Sequence, residues 1–340
     1  MSVTQCAGEP NSCSPNGLLP SLLLIGTRKG GTTALSSLLK RHPSIRMPDC
    51  KHGLEVWPKP RGVCVWDKEV RYFSRAVQQK STGLCWYRSL YRCPHNTSGD
   101  QLVAFDGSPD YLVLKDAAVA AMAATLGRER TRLVVLLRNP ADRFYSAYNM
   151  GMSEHLERLT ARTHVHMEPS PIVENSTSTS GLTYARFAAD LNRLIACAPA
   201  CPSEPNIVSM FFSYGMYATH LRVYTRHFGR ERLLVERSED FYEDGAGTVR
   251  RVLAFSDLSD APWQAATATS ATVGSSSDQL TAKEQNIGRL WGGVGYAGKL
   301  QVTERRKLQK WYAPHNRELY AFIGRDMQWE QGMLPLEVEL

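Results

Sequence analysis

Two short segments of the chain carry side chains suited to binding phosphate groups. The first, residues 26–33, reads Gly-Thr-Arg-Lys-Gly-Gly-Thr-Thr. Its glycines permit close backbone approach to an anion, Lys29 supplies a cation, and Thr32 and Thr33 supply hydroxyl groups. A Walker A loop has its lysine directly before the last Ser or Thr, whereas this lysine lies three residues before Thr32. The segment therefore predicts a phosphate loop that is not typical of ATPases or kinases.

The second segment begins with Arg138, which directly follows the apolar run Leu133–Leu137. An arginine at the end of a buried strand can present its guanidinium fork to a phosphate monoester. Ser146, two helical turns further along, can donate its hydroxyl to the same group. Arg143 and Tyr148 belong to the same segment, but a surface ion pair and a place in the core are the more common roles for these residue types. The segment predicts a second phosphate contact through Arg138 and Ser146.

Alternating strands and helices are expected to position both segments. Ser21–Gly26 is an apolar run that ends at the first segment, and Thr33–Lys40 follows it with apolar residues at helical spacing. Leu133–Leu137 and a helix over Ala141–His155 repeat the same order around Arg138. Continuous apolar strands that alternate with helices predict a parallel sheet covered on both faces.

The rest of the chain fits the same fold class. Two further strands and three further helices are predicted, at Val103–Asp106 and Arg232–Glu236, and at Asp116–Leu126, Tyr214–Phe228 and Asp244–Phe255. Ala161–Gly181 and Asp257–Asp278, which are rich in small and polar residues, are predicted to be mobile surface loops. Since no repeat or sharp break in composition is visible, we expect one α/β domain over residues 20–330, with loop insertions and with tails at residues 1–19 and 331–340. Its parallel sheet is expected to be flanked by helices and to resemble that of P-loop proteins.

Composition limits the possible classes of function. Hydrophobic residues make up 43% and charged residues 21% of the 340 residues, so a disordered chain or a coiled coil is not expected. The net charge of +7 favours anionic ligands without indicating nucleic acid. The longest apolar runs are far shorter than the roughly 20 residues that span a bilayer. The first twenty residues lack a signal-peptide pattern, so we expect either a cytosolic protein or a chain whose targeting segment lies outside this sequence.

The cysteines leave the compartment open. The eight cysteines form no CxxC pair and no Cys/His spacing typical of zinc sites, so no structural metal is predicted. Cys85 with Cys93, and Cys197 with Cys201, could close short loops in an oxidising compartment. Glycosylation sequons also occur at Asn96 and Asn175. The alternative is that the cysteines are free thiols and the sequons arise by chance.

Taken together, the two phosphate segments resemble the sulfotransferases that use 3′-phosphoadenosine 5′-phosphosulfate, and in particular the heparan-sulfate and related carbohydrate sulfotransferase branch. Residues 25–35 are similar to the 5′-phosphosulfate loop of that family. Residues 138–148 are similar to its 3′-phosphate motif, R-[DN]-P-x-x-R-x-x-S-x-Y. The resemblance covers roughly residues 20–330. It implies contacts with the nucleotide from Arg28, Lys29, Gly30, Gly31, Thr32, Thr33, Arg138 and Ser146.

The resemblance also implies a reaction, the transfer of a sulfuryl group to a hydroxyl or amine without a metal ion. The family motif K-E-V-H-F-F corresponds to residues 68–73, which read Lys-Glu-Val-Arg-Tyr-Phe. This match makes Glu69 the expected base for the proton of the acceptor, while Lys29 is expected to stabilise the departing phosphate. Arg71 stands in place of the family's histidine, a difference that bears on how the acceptor is oriented.

Two other departures concern substrate binding. Where glycan enzymes often have E-K-[ST]-P, residues 106–109 read Asp-Gly-Ser-Pro, so a lysine implicated in substrate contact is absent. In place of the family's basic K-G-R loop, residues 292–299 form a glycine-rich segment that ends in Lys299. Its backbone amides, Lys299 or Arg289 could substitute for that loop, and the sequence does not choose between them.

Several alternatives therefore stay open. A carbohydrate acceptor is favoured by the basic charge and by the family branch, and a small soluble metabolite by the missing lysine. A kinase or NTPase, and a nucleotide-binding or glycan-binding protein without activity, are the rivals from other classes. Neither nucleic acid nor a membrane span is expected. Four histidines are predicted to be exposed or hydrogen-bonded rather than catalytic or metal-binding, namely His155, His164, His166 and His220.

Overall fold

The computed structural model describes residues 17–49, 68–74, 83–92, 102–150, 184–197, 207–272 and 299–331. These residues contain a five-stranded sheet with the strand order β2-β3-β1-β4-β5. The strands are β1 Leu22–Gly26, β2 Ile45–Arg46, β3 Val103–Asp106, β4 Arg132–Leu137 and β5 Leu233–Arg237. All four neighbouring pairs are parallel. The prediction of a parallel sheet flanked by helices is confirmed.

Eleven α-helices lie within the described residues. In chain order they are α1 Thr32–Leu39, α2 Gly83–Ser89, α3 Asp116–Leu126, α4 over residues 140–150, α5 Tyr184–Cys197, α6 Ile207–Ser213, α7 Tyr217–Phe228, α8 Ser238–Glu243, α9 Gly245–Phe255, α10 Ala261–Thr272 and α11 Val302–Ile323. None of the helices described here is both long and apolar enough to cross a bilayer.

The chain divides into two compact units. The first comprises residues 1–138 and 219–286, and the second comprises residues 139–218 and 287–340. The sheet lies in the first unit, where β1 is buried along its whole length. Its apolar residues pack with those of α1 and α9 into one core, as expected for a strand covered on both faces. The expected single domain over residues 20–330 stays a prediction.

The second unit is built around an aromatic core. Side chains of α4, α5, α6 and α11 form it, including Phe144, Phe187, Phe212 and Tyr312. Polar tips of the aromatic residues find partners, since the Tyr312 hydroxyl donates to the carbonyl oxygen of Phe212 at 2.7 Å. Helix α4 thus begins at residue 140, two residues after Arg138, and its apolar side chains pack in this core.

Most predicted elements agree with the structure to within one or two residues. The predicted helix over Tyr214–Phe228 instead begins at Tyr217 as α7. Gly215 lies so close to the ring of Tyr312 that a Cβ there would come within 2.6 Å of it. This close approach separates α6 from α7. The predicted end of the helix at His155, and the predicted loop Ala161–Gly181, lie outside the described residues.

One predicted loop is in fact largely a helix. Asp257–Asp278 was expected to be a surface loop, but Ala261–Thr272 forms α10. Its alanines and threonines show no regular apolar stripe, so periodicity gives no signal for a helix. Trp263 anchors it instead, because this buried side chain packs in the core of the first unit and its indole N–H donates to the Leu38 carbonyl oxygen at 2.8 Å. Residues 273–278 lie outside the described part of the chain.

Candidate active site

Residues 26–33, called here the phosphate loop, connect the carboxyl end of β1 to the start of α1. Lys29 and Gly31 both have left-handed backbone, with φ of 69° and 95°. Gly31 cannot be replaced easily, since a Cβ would come within 2.7 Å of the Tyr242 hydroxyl oxygen. The first N–H groups of any helix have no carbonyl partner within that helix. A turn of this kind ahead of α1 is typical of the concavities that bind anions.

Three hydrogen bonds fix this loop to the neighbouring strand ends. The Thr27 N–H donates to the carbonyl oxygen of Leu136 at 2.9 Å. The Arg138 Nη1 donates to the carbonyl oxygen of Lys29 at 3.0 Å, and the Ser238 hydroxyl donates to that of Gly30 at 2.8 Å. The ends of β4 and β5 therefore hold the phosphate loop through its backbone.

The side chains of the loop differ in exposure. Thr32 is buried and Thr33 is exposed, while Arg28 and Lys29 are intermediate. Arg28 forms an ion pair with Asp110, with 3.5 Å between its Nε and a carboxylate oxygen. The predicted cations of the loop thus lie at its accessible side, and one of them already faces a carboxylate.

Glu69, the expected base, lies between two cations. Its Oε1 is 2.7 Å from the Lys68 Nζ, and its Oε2 is 2.6 Å from the Arg71 Nη2. Burial raises the pKa of Glu69, but the charges of Lys68 and Arg71 outweigh burial and hold its pKa below the ordinary value. Glu69 is therefore ionised at neutral pH, and both of its oxygens are occupied by hydrogen bonds.

Lys68 is the more deeply buried of the two cations. Only 3% of its side chain is exposed, and its Nζ also donates to the carbonyl oxygen of Gly107 at 3.2 Å. Burial lowers the pKa of Lys68, while the neighbouring charge of Glu69 opposes that change. Lys68 thus reaches the backbone at the position where glycan enzymes of the resembled branch often carry a lysine.

A continuous series of opposite charges connects Glu69 to the phosphate loop. Arg71 pairs with Glu69 and also with Asp110, whose Oδ2 lies 3.3 Å from the Arg71 Nε. Asp110 in turn pairs with Arg28 of the loop. We call Arg28, Lys68, Glu69, Arg71 and Asp110 the charged cluster. It brings the predicted base and one predicted donor contact into a single network.

The Asp-Gly-Ser-Pro segment, residues 106–109, holds the backbone of Arg71 in the charged cluster. Asp106 at the end of β3 is fully buried and accepts hydrogen bonds from the hydroxyls of Ser108 at 2.6 Å, Tyr87 at 2.7 Å and Tyr111 at 2.8 Å. Burial raises the pKa of Asp106 to about 6, although these hydrogen bonds oppose the rise. The Ser108 hydroxyl also accepts a hydrogen bond from the backbone N–H of Arg71 at 2.8 Å. Arg71 itself has left-handed backbone, with a φ of 58°. Asp106 thus fixes the backbone from which the Arg71 side chain extends.

The remaining predicted site residues belong to different units of the chain. Arg138 belongs to the first unit, and Ser146 is a buried residue of α4 in the second. The shared contact of Arg138 and Ser146 with a 3′-phosphate stays a prediction. Tyr148 is a core residue, as its alternative interpretation predicts. Arg143 is not on the surface, since it is fully buried and donates to the carbonyl oxygen of Phe211.

Several other predictions concern residues of which the structure describes only a part. Cys85 is disulfide-bonded, but every other cysteine lies outside the residues whose side chains are described, so its pairing with Cys93 stays a prediction. His220 is half-buried, Lys299 is exposed, and the other three histidines and residues 289–298 lie outside the described chain. In the described ranges, no group of three or more His, Cys, Asp or Glu side chains is arranged to hold a metal ion.

Sequence reasoning did not identify Ser238, Asp106, Tyr87 and Tyr111 as parts of this site. For Ser238 and Asp106 the available signal was position, because Ser238 lies two residues after the predicted strand Arg232–Glu236 and Asp106 ends another. Gly30, the partner of Ser238, lies 208 residues away in the sequence, whereas Asp106 and Tyr111 are only five residues apart.

The sequence of the chain is similar to those of several sulfotransferases. The chain is 25% identical over 315 residues to mouse heparan sulfate glucosamine 3-O-sulfotransferase 3B1, covering 92% of this chain and 65% of that protein. It is 26% identical over 315 residues to human heparan sulfate glucosamine 3-O-sulfotransferase 6, covering 91% and 73%. A bifunctional heparan sulfate N-deacetylase/N-sulfotransferase 1 of Caenorhabditis briggsae is 25% identical over 315 residues, covering 93% of this chain and 31% of that protein. The chain thus spans about 65% of the mouse relative's length.

Among solved structures, a sulfotransferase from Alicyclobacillus acidocaldarius superposes with a TM-score of 0.51 at 20% identity, covering 92% of this chain and 99% of that one. This likeness concerns the fold. A family model described as a sulfotransferase domain matches residues 19–271, which are most of the chain. The protein therefore belongs to the sulfotransferase family.

Proposed function

We propose that the protein transfers a sulfuryl group from 3′-phosphoadenosine 5′-phosphosulfate to a hydroxyl or amine of a carbohydrate acceptor. The observation that carries this proposal is the link between the phosphate loop and Glu69. Arg138 braces the loop at Lys29, and the charged cluster runs from Arg28 of the loop to the carboxylate of Glu69. An anion site and a carboxylate are the two parts that such a transfer needs.

The residues at the end of β1 fit a nucleotide that carries two phosphorus-bearing groups. The left-handed turn, the start of α1 and the cations of the phosphate loop suit the 5′-phosphosulfate. Arg138 and Ser146 would hold the 3′-phosphate, and the hydroxyls of Thr32 and Thr33 would add hydrogen bonds at the loop. When bound, the nucleotide supplies an activated sulfuryl group with a phosphate as leaving group.

The roles of the protein side chains follow from their charges. Lys29 stabilises the negative charge that develops on the departing phosphate oxygen. Glu69 takes the proton of the acceptor hydroxyl or amine while the acceptor atom bonds to sulfur and the bond from sulfur to the phosphate oxygen breaks. Burial raises the pKa of Glu69, but the charges of Lys68 and Arg71 outweigh it and keep this carboxylate ionised before the reaction.

A carbohydrate is the favoured acceptor for two reasons. The relatives described above are named for heparan sulfate, and the net charge of +7 would attract an anionic polymer. A small soluble metabolite is the second candidate, and the observation that favours it is the glycine at position 107, where glycan enzymes of this branch often have a lysine.

Label transfer tests the proposal and separates the two acceptors. The chain is incubated with donor carrying radioactive sulfur and with a panel of acidic oligosaccharides and small alcohols. We expect label on an oligosaccharide, with an apparent affinity that weakens sharply as salt is added. Transfer to a small alcohol alone, with little dependence on salt, would favour the metabolite. Neither label transfer nor binding of 3′-phosphoadenosine 5′-phosphate would overturn the proposal.

A further inference from the structure

Arg71 occupies one oxygen of the Glu69 carboxylate, since its Nε and Nη2 donate to Oε2 at 3.2 Å and 2.6 Å and a carboxylate oxygen has two lone pairs. The pair with Arg71 must open before an acceptor hydroxyl can donate to Oε2, while Oε1 faces the buried ammonium group of Lys68 at 2.7 Å. Lys68 is poorly placed to leave, because its side chain is only 3% exposed and it also holds the carbonyl oxygen of Gly107. Arg71 has 16% of its side chain exposed. The pair between Arg71 and Glu69 is therefore the one that an incoming acceptor can reach.

The surroundings of Arg71 allow its guanidinium to move while its backbone stays in place. The Arg71 N–H is held by the Ser108 hydroxyl, which is itself bound to buried Asp106. The guanidinium also has a second carboxylate partner in Asp110, which is 22% exposed. When Arg71 leaves Glu69, it can keep the pair with Asp110 and offer its remaining N–H groups to another anion.

We propose that Arg71 selects acceptors that carry a carboxylate or sulfate group beside the reacting hydroxyl, and that this anion draws the guanidinium away from Glu69. This inference rests on the proposed function. The Oε2 of Glu69 then receives the proton of the acceptor hydroxyl, the acceptor oxygen bonds to sulfur, and the electron pair of the broken bond stays on the departing phosphate oxygen. A neutral acceptor leaves Arg71 on Glu69 and is a poor substrate.

The chemistry of arginine makes it suited to this exchange. Its planar fork can bind a carboxylate or sulfate through two N–H groups and never loses its charge at neutral pH. A lysine at position 71 would keep the charge but would lose the fork, and a glutamine would lose both. The three side chains therefore separate the effect of charge from the effect of geometry.

The experiment compares matched acceptors on four forms of the chain. One acceptor pair is an oligosaccharide with uronic acids and the same oligosaccharide after its carboxylates are reduced to alcohols. A second pair differs only in N-sulfate against N-acetyl groups, so the two pairs distinguish carboxylate from sulfate. The forms are the wild type, Arg71→Gln, Arg71→Lys and, as a control, Arg226→Gln, which removes an exposed arginine that pairs with Asp116 at 2.7 Å. Label transfer gives kcat and KM, and calorimetry gives the affinity for 3′-phosphoadenosine 5′-phosphate.

We expect the wild type and Arg226→Gln to prefer the anionic member of one pair by at least about tenfold in kcat/KM, the scale of one charge-assisted hydrogen bond. In Arg71→Gln the KM for that acceptor should rise about tenfold, while kcat for the neutral member should rise because Glu69 is released. Arg71→Lys should lie between the two, and nucleotide affinity should not change.

Two results would overturn the inference while leaving the proposed function intact. One is a wild type that transfers equally to both members of each pair. The other is an Arg71→Gln chain that binds nucleotide normally but whose kcat/KM changes by the same factor, or not at all, for anionic and neutral acceptors. Absence of both nucleotide binding and transfer in the wild type would instead refute the proposed function.

Discussion

The phosphate loop and the charged cluster are built in different ways. The loop is held through backbone atoms, with the carbonyl oxygens of Lys29 and Gly30 fixed by Arg138 and Ser238. The charged cluster is held by ion pairs between side chains from different segments, such as Arg71 with Asp110. A backbone cradle suits a nucleotide of constant structure. Ion pairs that can exchange partners suit the recognition of acceptors that vary in charge.

The largest expected effects come from one residue on each side of this comparison. Lys29→Ala and Glu69→Gln should leave the fold intact and lower kcat at least about 100-fold, since each removes a group that acts in the transition state. Label transfer measures the rate, and circular dichroism checks the fold. Lys40→Ala at the exposed end of α1 and Glu129→Gln, whose side chain is 75% exposed, serve as matched controls. Nearly full activity in either active-site variant would remove that residue from the mechanism.

The charged cluster should depend on pH through its buried support. Because the pKa of Asp106 is raised to about 6 from 3.8, the folded chain holds this proton more tightly than the unfolded chain. The stabilising contribution of Asp106 is therefore complete below pH 3.8 and declines as the pH rises towards about 6.

Comparison with Asp106→Asn isolates this effect, since that side chain does not titrate. The free energy of unfolding of the wild type relative to this variant should fall by about 3 kcal/mol between about pH 4 and pH 7. Each unit by which the pKa is shifted contributes about 1.36 kcal/mol to this difference. Urea unfolding at several pH values measures the difference. Parallel stability curves for the two chains would contradict the account of Asp106.

The phosphate loop should instead be sensitive to backbone conformation. Gly31→Ala places a Cβ against the Tyr242 hydroxyl at a φ of 95°, whereas Gly83→Ala, at a φ of 69°, meets no atom of the described residues within 4 Å. Both variants should lose about 1–2 kcal/mol of stability from left-handed backbone. Gly31→Ala alone should also bind 3′-phosphoadenosine 5′-phosphate at least about tenfold more weakly. Calorimetry measures this affinity, and equal losses in the two variants would argue against a specific role for the loop.

The smallest effect is expected from the brace behind the loop. Ser238→Ala removes the hydrogen bond to the Gly30 carbonyl oxygen and should cost about 1 kcal/mol of stability with a loss of nucleotide affinity of a few fold. The control is Thr125→Ala, which removes an exposed hydroxyl bonded to the Ala121 carbonyl oxygen at 2.7 Å. An unchanged nucleotide affinity in Ser238→Ala would show that the brace does not influence donor binding.

The difference between the phosphate loop and the charged cluster also explains how much of the structure could be predicted from the sequence. The phosphate loop was predictable because an apolar strand, a glycine-rich turn and a helix follow one another in a single segment. The family motif predicts Glu69 as the base, which stays a prediction, and it gave no indication of the two ion pairs of this residue. The pair of Arg71 with Asp110 joins segments that are far apart in the chain, so no local pattern reports it.

Two errors in the predicted secondary structure have the same origin. Helix α10 depends on Trp263, whose indole bonds to a carbonyl oxygen on the distant residue Leu38. The late start of α7 follows from the packing of Gly215 against Tyr312. In both cases a tertiary contact decides the local structure, and the periodicity of neighbouring residues does not contain that information.

A crystal structure of the chain with bound 3′-phosphoadenosine 5′-phosphate tests the central claim most directly. The account predicts the 5′-phosphate against the backbone N–H groups of the phosphate loop beside Lys29, and the 3′-phosphate within hydrogen-bond distance of Arg138 and Ser146. A nucleotide bound elsewhere on the chain, or an Arg138 side chain directed away from it, would contradict the account.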